Sequence, residues 1–382
     1  MIELESYIRQ NDFQGYDPYD ILNSPIPFRW FGTLGQAVAI QFSKLNPINL
    51  RTLMGIKKGV NPKALGLFLS GYAALYRKNQ KEEYKIEMDR LIVLIKENMS
   101  KDQFGASWGY NFDWATPKEL KKKYTPSVVV TAFVVAGLMD YYELFGDDDV
   151  KNMIISSADY VLKALPRYDL HGEVCFAYTA ESKGRCYNAS VLGAETLARV
   201  YSLTKNEELL HLAHSAVRGV VQSQKEDGRW NYSIDDTGVE RKQVDFHQGF
   251  VLVSLYNFLK YTGIKDESVE NAIRKGLEFY IKNQFLSIGQ SLWRIPKAYP
   301  VDIHNQSQGI ITFSLMSEFS QEYLPFAGKV VDWTMDNMYD KKRHYFYYRK
   351  FKFYTNKIPY MRWSQAWMFL ALSIYNEKLK ND

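Results

Sequence analysis

The sequence is poor in the residues that build metal centres and disulfide frameworks. It has 2 cysteines, Cys175 and Cys186, and 6 histidines. The spacing of the two cysteines, with no histidine pair beside them, fits no zinc motif, and two thiols make no disulfide framework. We therefore expect free cysteines in a reducing compartment and no metal or other cofactor.

Long apolar runs and a targeting segment are also missing. No stretch of 18 apolar residues occurs, which predicts no membrane span. The start, Met1-Ile-Glu-Leu-Glu-Ser6, is acidic and lacks the apolar core of a signal peptide, so we expect a cytoplasmic protein. The formal net charge of +5 is modest, and no recognised nucleic-acid module accompanies it, so we expect no nucleic-acid partner.

What the chain does have is a repeat. Six similar segments follow one another at intervals of about 60 residues. Aligned on their fourth residues, they fall at Ala64, Ser127, Ala189, Gln248, Gln308 and Gln365. A helical unit repeated six times predicts a closed ring or an open solenoid. Solenoid repeats are usually shorter, about 34–47 residues, so the period favours the ring.

Each repeat combines two kinds of helical segment. The repeated segments are apolar nearly all round, as in Val128–Leu138, and should be buried on every side. Between them lie amphipathic segments that should have one face in water. The resulting prediction is an all-α (α/α)6 toroid of about twelve helices, in one domain over residues 1–382. Residues 1–30 would be an N-terminal extension, and 31–45 the sixth outer helix, closing the ring against 365–375.

Long connections run from each outer helix to the next inner one. They span residues 100–123, 166–185, 225–244, 285–304 and 339–360. Loops of this length are usually functional, and all of these should emerge on the face that holds the inner-helix N-termini. The last one is rich in β formers and could form a small hairpin over that face.

Aromatic residues recur in these loops. They either join neighbouring repeats or offer flat platforms for sugar rings. In Gln224–Trp230 the Asp227-Gly228 turn should let Trp230 fold back over the end of an outer helix. The candidate platforms are Trp108, Tyr110, Tyr178, Trp230, Tyr232, Trp293 and Tyr347.

Polar residues gather where the inner helices begin. The candidate ligand-binding residues are Tyr124, Tyr187, Asn188, Gln248, Asn305, Arg362 and Trp363, and the candidate catalytic residues are Asp113, Asp245, His247, Asp302 and His304. Asp245-x-His247 and Asp302-x-His304 occupy successive repeats, so their four side chains could converge. The alternative for both aspartates is helix capping.

Three chemistries are compatible with this set. Glycoside hydrolysis needs two carboxyl groups, for which Asp113, Asp245 and Asp302 are candidates. Elimination or epimerisation of a uronate needs a base such as His247, His304 or Tyr187. It also needs a group that neutralises the carboxylate, such as Arg362 or Asn188. The third possibility is binding without catalysis.

Two resemblances accompany this pattern. The segment Gln224–Trp230 is similar to the Gln-x-x-Asp-Gly-x-Trp repeat of terpenoid cyclases and protein prenyltransferases, but Ser233-Ile-Asp235-Asp236 lacks the first aspartate of the cyclase acid motif. Over residues 50–380 the chain resembles the six-hairpin glycosidase, polysaccharide lyase and sugar-epimerase toroids. Segments 15–24 and 358–367 resemble uncharacterised bacterial proteins associated with polysaccharide biosynthesis.

The resemblances imply a carbohydrate-active protein of bacterial polysaccharide metabolism. Its partner would be an oligo- or polysaccharide, neutral or anionic, held in a central funnel. The leading hypothesis is a glycoside hydrolase, uronate lyase or sugar epimerase. A non-catalytic glycan-binding or assembly protein and a terpenoid-type enzyme are the alternatives. The oligomeric state stays open.

Overall fold

A computed structural model describes residues 2–101, 104–117 and 119–379. The described chain is mostly helical. Its α-helices are α1 (Ile2–Gln10), α2 (Gly32–Leu45), α3 (Pro62–Asn79), α4 (Glu82–Glu97), α5 (Val128–Phe145), α6 (Asp148–Asp159), α7 (Tyr187–Thr204), α8 (Glu207–Gln222), α9 (His247–Thr262), α10 (Glu267–Gln284), α11 (Ile303–Leu315), α12 (Tyr323–Met338) and α13 (Trp367–Lys378). Wider π-helical turns continue α6 over Tyr160–Ala164 and precede α13 over Met361–Ala366.

The inner helices form a closed ring, as predicted. In ring order they are α3, α5, α7, α9, α11 and α13; each packs against the next, and α13 packs against α3 to close the circle. Gly66 on α3 and Gly137 on α5 show why the residues here are small. A Cβ at either position would overlap with the backbone of the other helix. Glycine therefore permits a backbone-to-backbone approach that a larger residue would prevent.

The prediction for the sixth outer helix was wrong. That position belongs to α1, whose Leu4 and Ile8 are buried in the main core. The guanidinium Nε of Arg9 lies 3.1 Å from Glu87 Oε1, which ties α1 to α4. Residues 2–10 are thus part of the ring and not of an extension.

Helix α2, for which we predicted that place, joins a small separate cluster instead. Its Ala37 and Ile40 pack with Ile21, Ile56 and Ala115. Its most apolar stripe remains in solvent, and Leu34, Val38 and Phe42 are each about 60% exposed. The assignment rested on the need for a sixth outer helix ahead of the first repeat, and a helical segment in the right part of the chain does not reveal which surface it covers.

The long loops gather at the N-terminal ends of the inner helices and pair with one another. They carry short antiparallel strands: β1 (Trp114–Ala115), β2 (Leu120–Lys121), β3 (Arg167–Leu170), β4 (Glu173–Phe176), β5 (Arg185–Cys186), β6 (Ser233–Ile234), β7 (Glu240–Arg241), β8 (Val301–Asp302), β9 (Tyr339–Asp340), β10 (Tyr345–Phe346), β11 (Arg349–Lys350) and β12 (Thr355–Asn356). The sheets β5-β6-β7 and β12-β11-β8 each join the loops of neighbouring repeats. We call this side of the ring the loop face.

One described helix, α5, is long and apolar enough to cross a membrane by length and composition. In the fold it is an inner helix, packed between α3 and α7. Ring burial accounts for its apolar sequence.

Candidate functional site

Each inner helix from α5 onward holds a loop in place by the same device. A polar side chain near the helix start accepts a hydrogen bond from a loop backbone N–H, at 2.6–3.2 Å. The pairs are Thr131 with Trp108, Ser190 with Phe176, Gln248 with Trp230, Gln306 with Ser291, and Gln365 with Phe346. These acceptors recur every 58 or 59 residues, so the structural repeat is more regular than the sequence alignment suggested. Gln248, which we predicted to bind the ligand, instead holds the loop at Trp230. In the next repeat the residue that holds the loop is Gln306 and not Gln308, the residue aligned from the sequence.

Trp108 and Trp230 join neighbouring elements and are not platforms for sugar. Both are buried, and their indole N–H groups donate to Ile95 O at 2.9 Å and to Val220 O at 2.7 Å. Each acceptor lies two residues before the end of an outer helix. Trp230 thus folds back over α8, as its Asp-Gly turn predicted.

Asp245 and His247 form a paired acid and imidazole at the start of α9. The Nδ1 atom of His247 lies 2.5 Å from Asp245 Oδ1, and Gln243 donates to Asp245 Oδ2 at 2.6 Å. Burial alone would raise the pKa of Asp245, but His247, its hydrogen bonds and Arg294 outweigh that effect and lower it. The carboxylate therefore stays ionised and orients the imidazole.

The other nitrogen of His247 is Nε2, on a partly exposed side chain. No group in the described part of the chain hydrogen-bonds to it, and the side chain is 19% exposed. Tyr232 packs edge-on against the imidazole with centroids 4.7 Å apart. A histidine oriented by a carboxylate through Nδ1 and free at Nε2 is the usual arrangement of a general base.

A row of aromatic rings continues from Tyr232 across the loop face; its tyrosines are half-buried, and Phe112 is buried. The Tyr178 hydroxyl lies 3.4 Å from that of Tyr110. Tyr110 stacks on Phe112 at 5.2 Å, and Phe112 stacks on Tyr19. Burial, together with Tyr110 and Tyr232, raises the pKa of Tyr178 well above its usual value, so its hydroxyl stays protonated. These rings offer the apolar surface and hydroxyl groups that suit a sugar.

His304 lies beneath this surface, stacked on Phe246 with centroids 4.1 Å apart. It is 1% exposed, and neither ring nitrogen has a hydrogen-bond partner within the described residues. Burial, with the nearby Lys63 and Arg362, lowers its pKa well below the usual value, so it is neutral. Phe246 also stacks on His247 at 4.2 Å, so two of the four side chains for which we considered convergence, those of His247 and His304, contact the same phenylalanine ring.

Asp302 does not join them. It is fully buried, with Oδ1 accepting from the His304 backbone at 2.9 Å and from the Trp363 indole at 2.8 Å. Its Oδ2 accepts from Arg349 Nε at 2.6 Å. Asp302 is thus a helix cap and an ion-pair partner, so it is no longer a catalytic candidate. Trp363 donates its indole N–H to Asp302, which gives Trp363 a structural role.

Arg362, proposed from the sequence to neutralise a substrate carboxylate, already holds a carboxylate of this chain. Its Nε and Nη2 atoms lie 2.5 and 2.8 Å from the two oxygens of Asp17. Both residues are buried. The N-terminal segment therefore occupies the place that we assigned to the ligand.

Several other candidates have structural roles or lie at the edge. Asp113 accepts a hydrogen bond from the Lys123 backbone at 2.7 Å. Tyr187 donates to Glu240 at 3.2 Å, and Asn188 accepts from the Cys186 thiol. Asn305 clamps the loop through Leu292 O and Trp293 O. Tyr124 and Tyr347 lie near the periphery, where Tyr124 borders an outer groove and Tyr347 packs under Lys357.

Three basic residues near the site were not among the residues predicted from the sequence. The first is Lys63. Its Nζ atom lies over the rings of Phe133, Phe250 and Trp367 at 4.3, 5.3 and 5.1 Å, although the residue is 3% exposed. Burial lowers its pKa well below the usual value. We call those three rings the aromatic plug, because they close the ring axis below His304.

Two arginines, the other missed groups, flank the pair of Asp245 and His247. Arg294 Nε lies 3.6 Å from Asp245 Oδ2, and its guanidinium lies over Trp293, whose other neighbour is Arg349. Arg241, which is exposed, lies over Tyr232. Trp293 is therefore half-buried between cations and remains a candidate contact for an anionic sugar.

Neither cysteine is suited to nucleophilic catalysis. Burial raises the pKa of Cys175 to about 12 and that of Cys186 to about 11. Both thiols are free and protonated at neutral pH, and a thiol must ionise to attack. In the described residues no three metal-ligating side chains cluster.

Known proteins agree with this architecture. A cellobiose 2-epimerase from Bacillus thermoamylovorans B4167 matches with a TM-score of 0.63 at 13% identity, covering 82% of this chain and 87% of that one. The GH76 α-mannanase BT2949 from Bacteroides thetaiotaomicron matches with a TM-score of 0.63 at 12% identity, covering 82% and 86%. The chain therefore shares the α/α toroid fold of these two proteins.

Two further comparisons extend this result. The Lin0763 protein from Listeria innocua matches over 98% of this chain and 95% of its own, with a TM-score of 0.64 at 10% identity, so the toroid and its N-terminal segment occur together there. Residues 53–236, just under half of the chain, match the family described as beta-L-arabinofuranosidase, GH127 catalytic domain. Comparison with curated protein sequences gives no match. These similarities establish the toroid fold. The reaction has to be inferred from the residues of the candidate site.

Proposed function

We propose that this protein acts on a sugar by proton transfer, as an epimerase, isomerase or uronate lyase, with His247 as the base. The observation that carries this proposal is the short contact between Asp245 Oδ1 and His247 Nδ1, with Nε2 left free at the loop face. Asp245 positions the imidazole by holding its Nδ1 atom. The tyrosine row beside it supplies a surface for the sugar ring.

Hydrolysis by two carboxyl groups has less support. It requires a pair about 5–9.5 Å apart across the scissile bond. Asp302 is buried in its own hydrogen bonds, and Asp113 serves the loop before α5. Of the three predicted carboxylates only Asp245 reaches the site, and it serves His247.

A uronate is the substrate class that the surrounding charges favour, because Arg294 lies beside Asp245 and Arg241 lies over Tyr232, the ring that packs against His247. A sugar carboxylate bound to these arginines would place its α-carbon proton towards His247 Nε2. The two cations would then stabilise the charge that develops on the carboxylate. Arg362 takes no part, because Asp17 neutralises it.

The test is a product screen of the purified protein. Uronate-containing oligosaccharides and neutral disaccharides are incubated with wild type, His247→Gln, Arg294→Met and His211→Gln, and the products are separated by anion-exchange chromatography. His211 is an exposed histidine and serves as the matched control. We expect epimerised or unsaturated products with wild type and His211→Gln and none with His247→Gln. Arg294→Met should lose uronate turnover more than neutral turnover.

Either of two results would refute this proposal. One is turnover that survives His247→Gln. The other is release of a shorter sugar without epimerisation or unsaturation, which would indicate hydrolysis. Sugar binding without any turnover would instead favour the glycan-binding alternative, which the occupied Arg362 and the buried Asp302 support.

A further inference from the structure

We propose a second ligand site at the opposite end of the ring, for a neutral polyol of about monosaccharide size. A cavity of about 300 Å³ opens between the C-terminal halves of the inner helices. All six inner helices contribute to its wall, through residues such as Ser70, Asp140, Glu195, Asn257, Gln308 and Trp367. Small-molecule sites begin at about this volume, so the cavity suits one sugar ring and not a chain.

The aromatic plug separates this cavity from the loop face. Its three residues line the cavity, whereas Lys63 contacts the same rings from near Arg362 and His304. The second site is thus lined by other residues than the proposed catalytic site, and a ligand would enter it from the opposite end of the ring. Its existence does not depend on the proposed function.

Two carboxylates in the wall are fixed by hydrogen bonds. Glu195, which is 6% exposed, accepts from Arg199 at 2.5 Å, Asn257 at 2.8 Å and Ser254 at 2.7 Å. Asp140 accepts from Ser70 at 2.6 Å and Arg77 at 2.5 Å. A carboxylate has about four acceptor positions, so both retain capacity for ligand hydroxyl groups.

Two further wall residues have buried polar atoms without partners. Gln308 Oε1 and Trp367 Nε1 form no hydrogen bond to any described residue, although these side chains are 2% and 1% exposed. An unsatisfied buried polar group costs about 1–3 kcal/mol. Both atoms have less than 1 Å² of accessible surface, so a ligand in the cavity would reach them only after their side chains turn.

The charge and surface of the cavity indicate a neutral ligand with an apolar face. Four acidic and four basic residues line it: Asp140, Glu143, Glu195 and Glu377, with Arg77, Arg199, Lys260 and Lys378. Their charges balance, so neither an anion nor a cation is favoured. The plug supplies aromatic faces of the kind on which the C–H side of a sugar ring packs.

The proposal is tested by filling the cavity. Ala136 lines it on α5, so Ala136→Leu adds bulk without removing a polar group, and Ala136→Ser is the matched control. Binding of glucose, mannose, galactose and myo-inositol is measured by saturation-transfer NMR and calorimetry. We expect wild type, Ala136→Ser and His247→Gln to bind one or more of these, and Ala136→Leu to bind at least about tenfold more weakly.

Circular dichroism establishes whether Ala136→Leu folds. If it does not, Asn257→Leu at the same cavity replaces it, with the same expected loss. The inference is overturned if none of the four polyols binds, which would leave only water in the cavity, or if binding survives in the cavity variant that folds. Binding lost in His247→Gln but kept in Ala136→Leu would also overturn it, by placing the polyol at the loop face.

Discussion

Replacing Asp17 by asparagine should destabilise the protein far more than its position near the N-terminus suggests. Asp17 and Arg362 are 5% and 3% exposed, and their two oxygen–nitrogen contacts are 2.5 and 2.8 Å. The amide introduced by Asp17→Asn would leave Arg362 as a buried cation with one neutral acceptor. Breaking a buried ion pair from one side costs about 3–5 kcal/mol.

Urea unfolding followed by circular dichroism measures this cost. We expect Asp17→Asn to lose about 3 kcal/mol, at the lower end because the amide oxygen keeps one hydrogen bond. The double variant Asp17→Leu/Arg362→Met should recover much of the loss, because it leaves no unpaired charge. A loss below about 1 kcal/mol, the value of an exposed pair, would refute the buried pairing of the N-terminal segment with the last inner helix.

Three further predictions concern the ring. Lys63→Met should flatten the rise of melting temperature as the pH approaches about 10, the usual pKa of an unfolded lysine. The pKa of Lys63 is lowered in the fold, so unfolding takes up a proton there; an unchanged slope would contradict this. Gly228→Ala, whose Cβ would overlap Lys275 O, should cost more than Gly238→Ala, where the Cβ meets open space at a similar positive φ; equal melting temperatures would count against the tight loop packing. Ile8→Ala should cost about 2–5 kcal/mol of unfolding free energy and the exposed Phe42→Ala within about 0.5; the reverse order would return the sixth outer position to α2.

The sequence was sufficient to predict the toroid. Inner helices that are apolar on every side, repeated six times, have few ways to be buried except around a common axis. It was not sufficient to choose between α1 and α2 for the last outer position. Helix α2 has the longer apolar stripe, whereas α1 is fixed by contacts such as Arg9 with Glu87, which lie far apart in the chain.

The candidate site also has parts that the sequence could predict and parts that it could not. Asp245 and His247 are two residues apart at a helix start, so their pairing could be expected from local geometry. The neutralisation of Arg362 by Asp17 links residues 345 positions apart, and no local pattern predicts it. Asp302 shows why an aspartate just before a helix is ambiguous in a sequence. The same position suits a helix cap or a catalytic group, and only the side chains around it show which role it has.

Solvent deuterium incorporation tests the account most directly. A sugar that the protein accepts is incubated in D2O with wild type, His247→Gln or His211→Gln, and the carbon adjacent to its carbonyl or carboxylate is observed by NMR. We predict deuterium at that carbon of an epimerised or isomerised product, or loss of the proton there in an unsaturated product, with wild type and His211→Gln, and neither with His247→Gln. Epimerisation or isomerisation without deuterium, or equal conversion by His247→Gln, would contradict the assignment of His247 as the base.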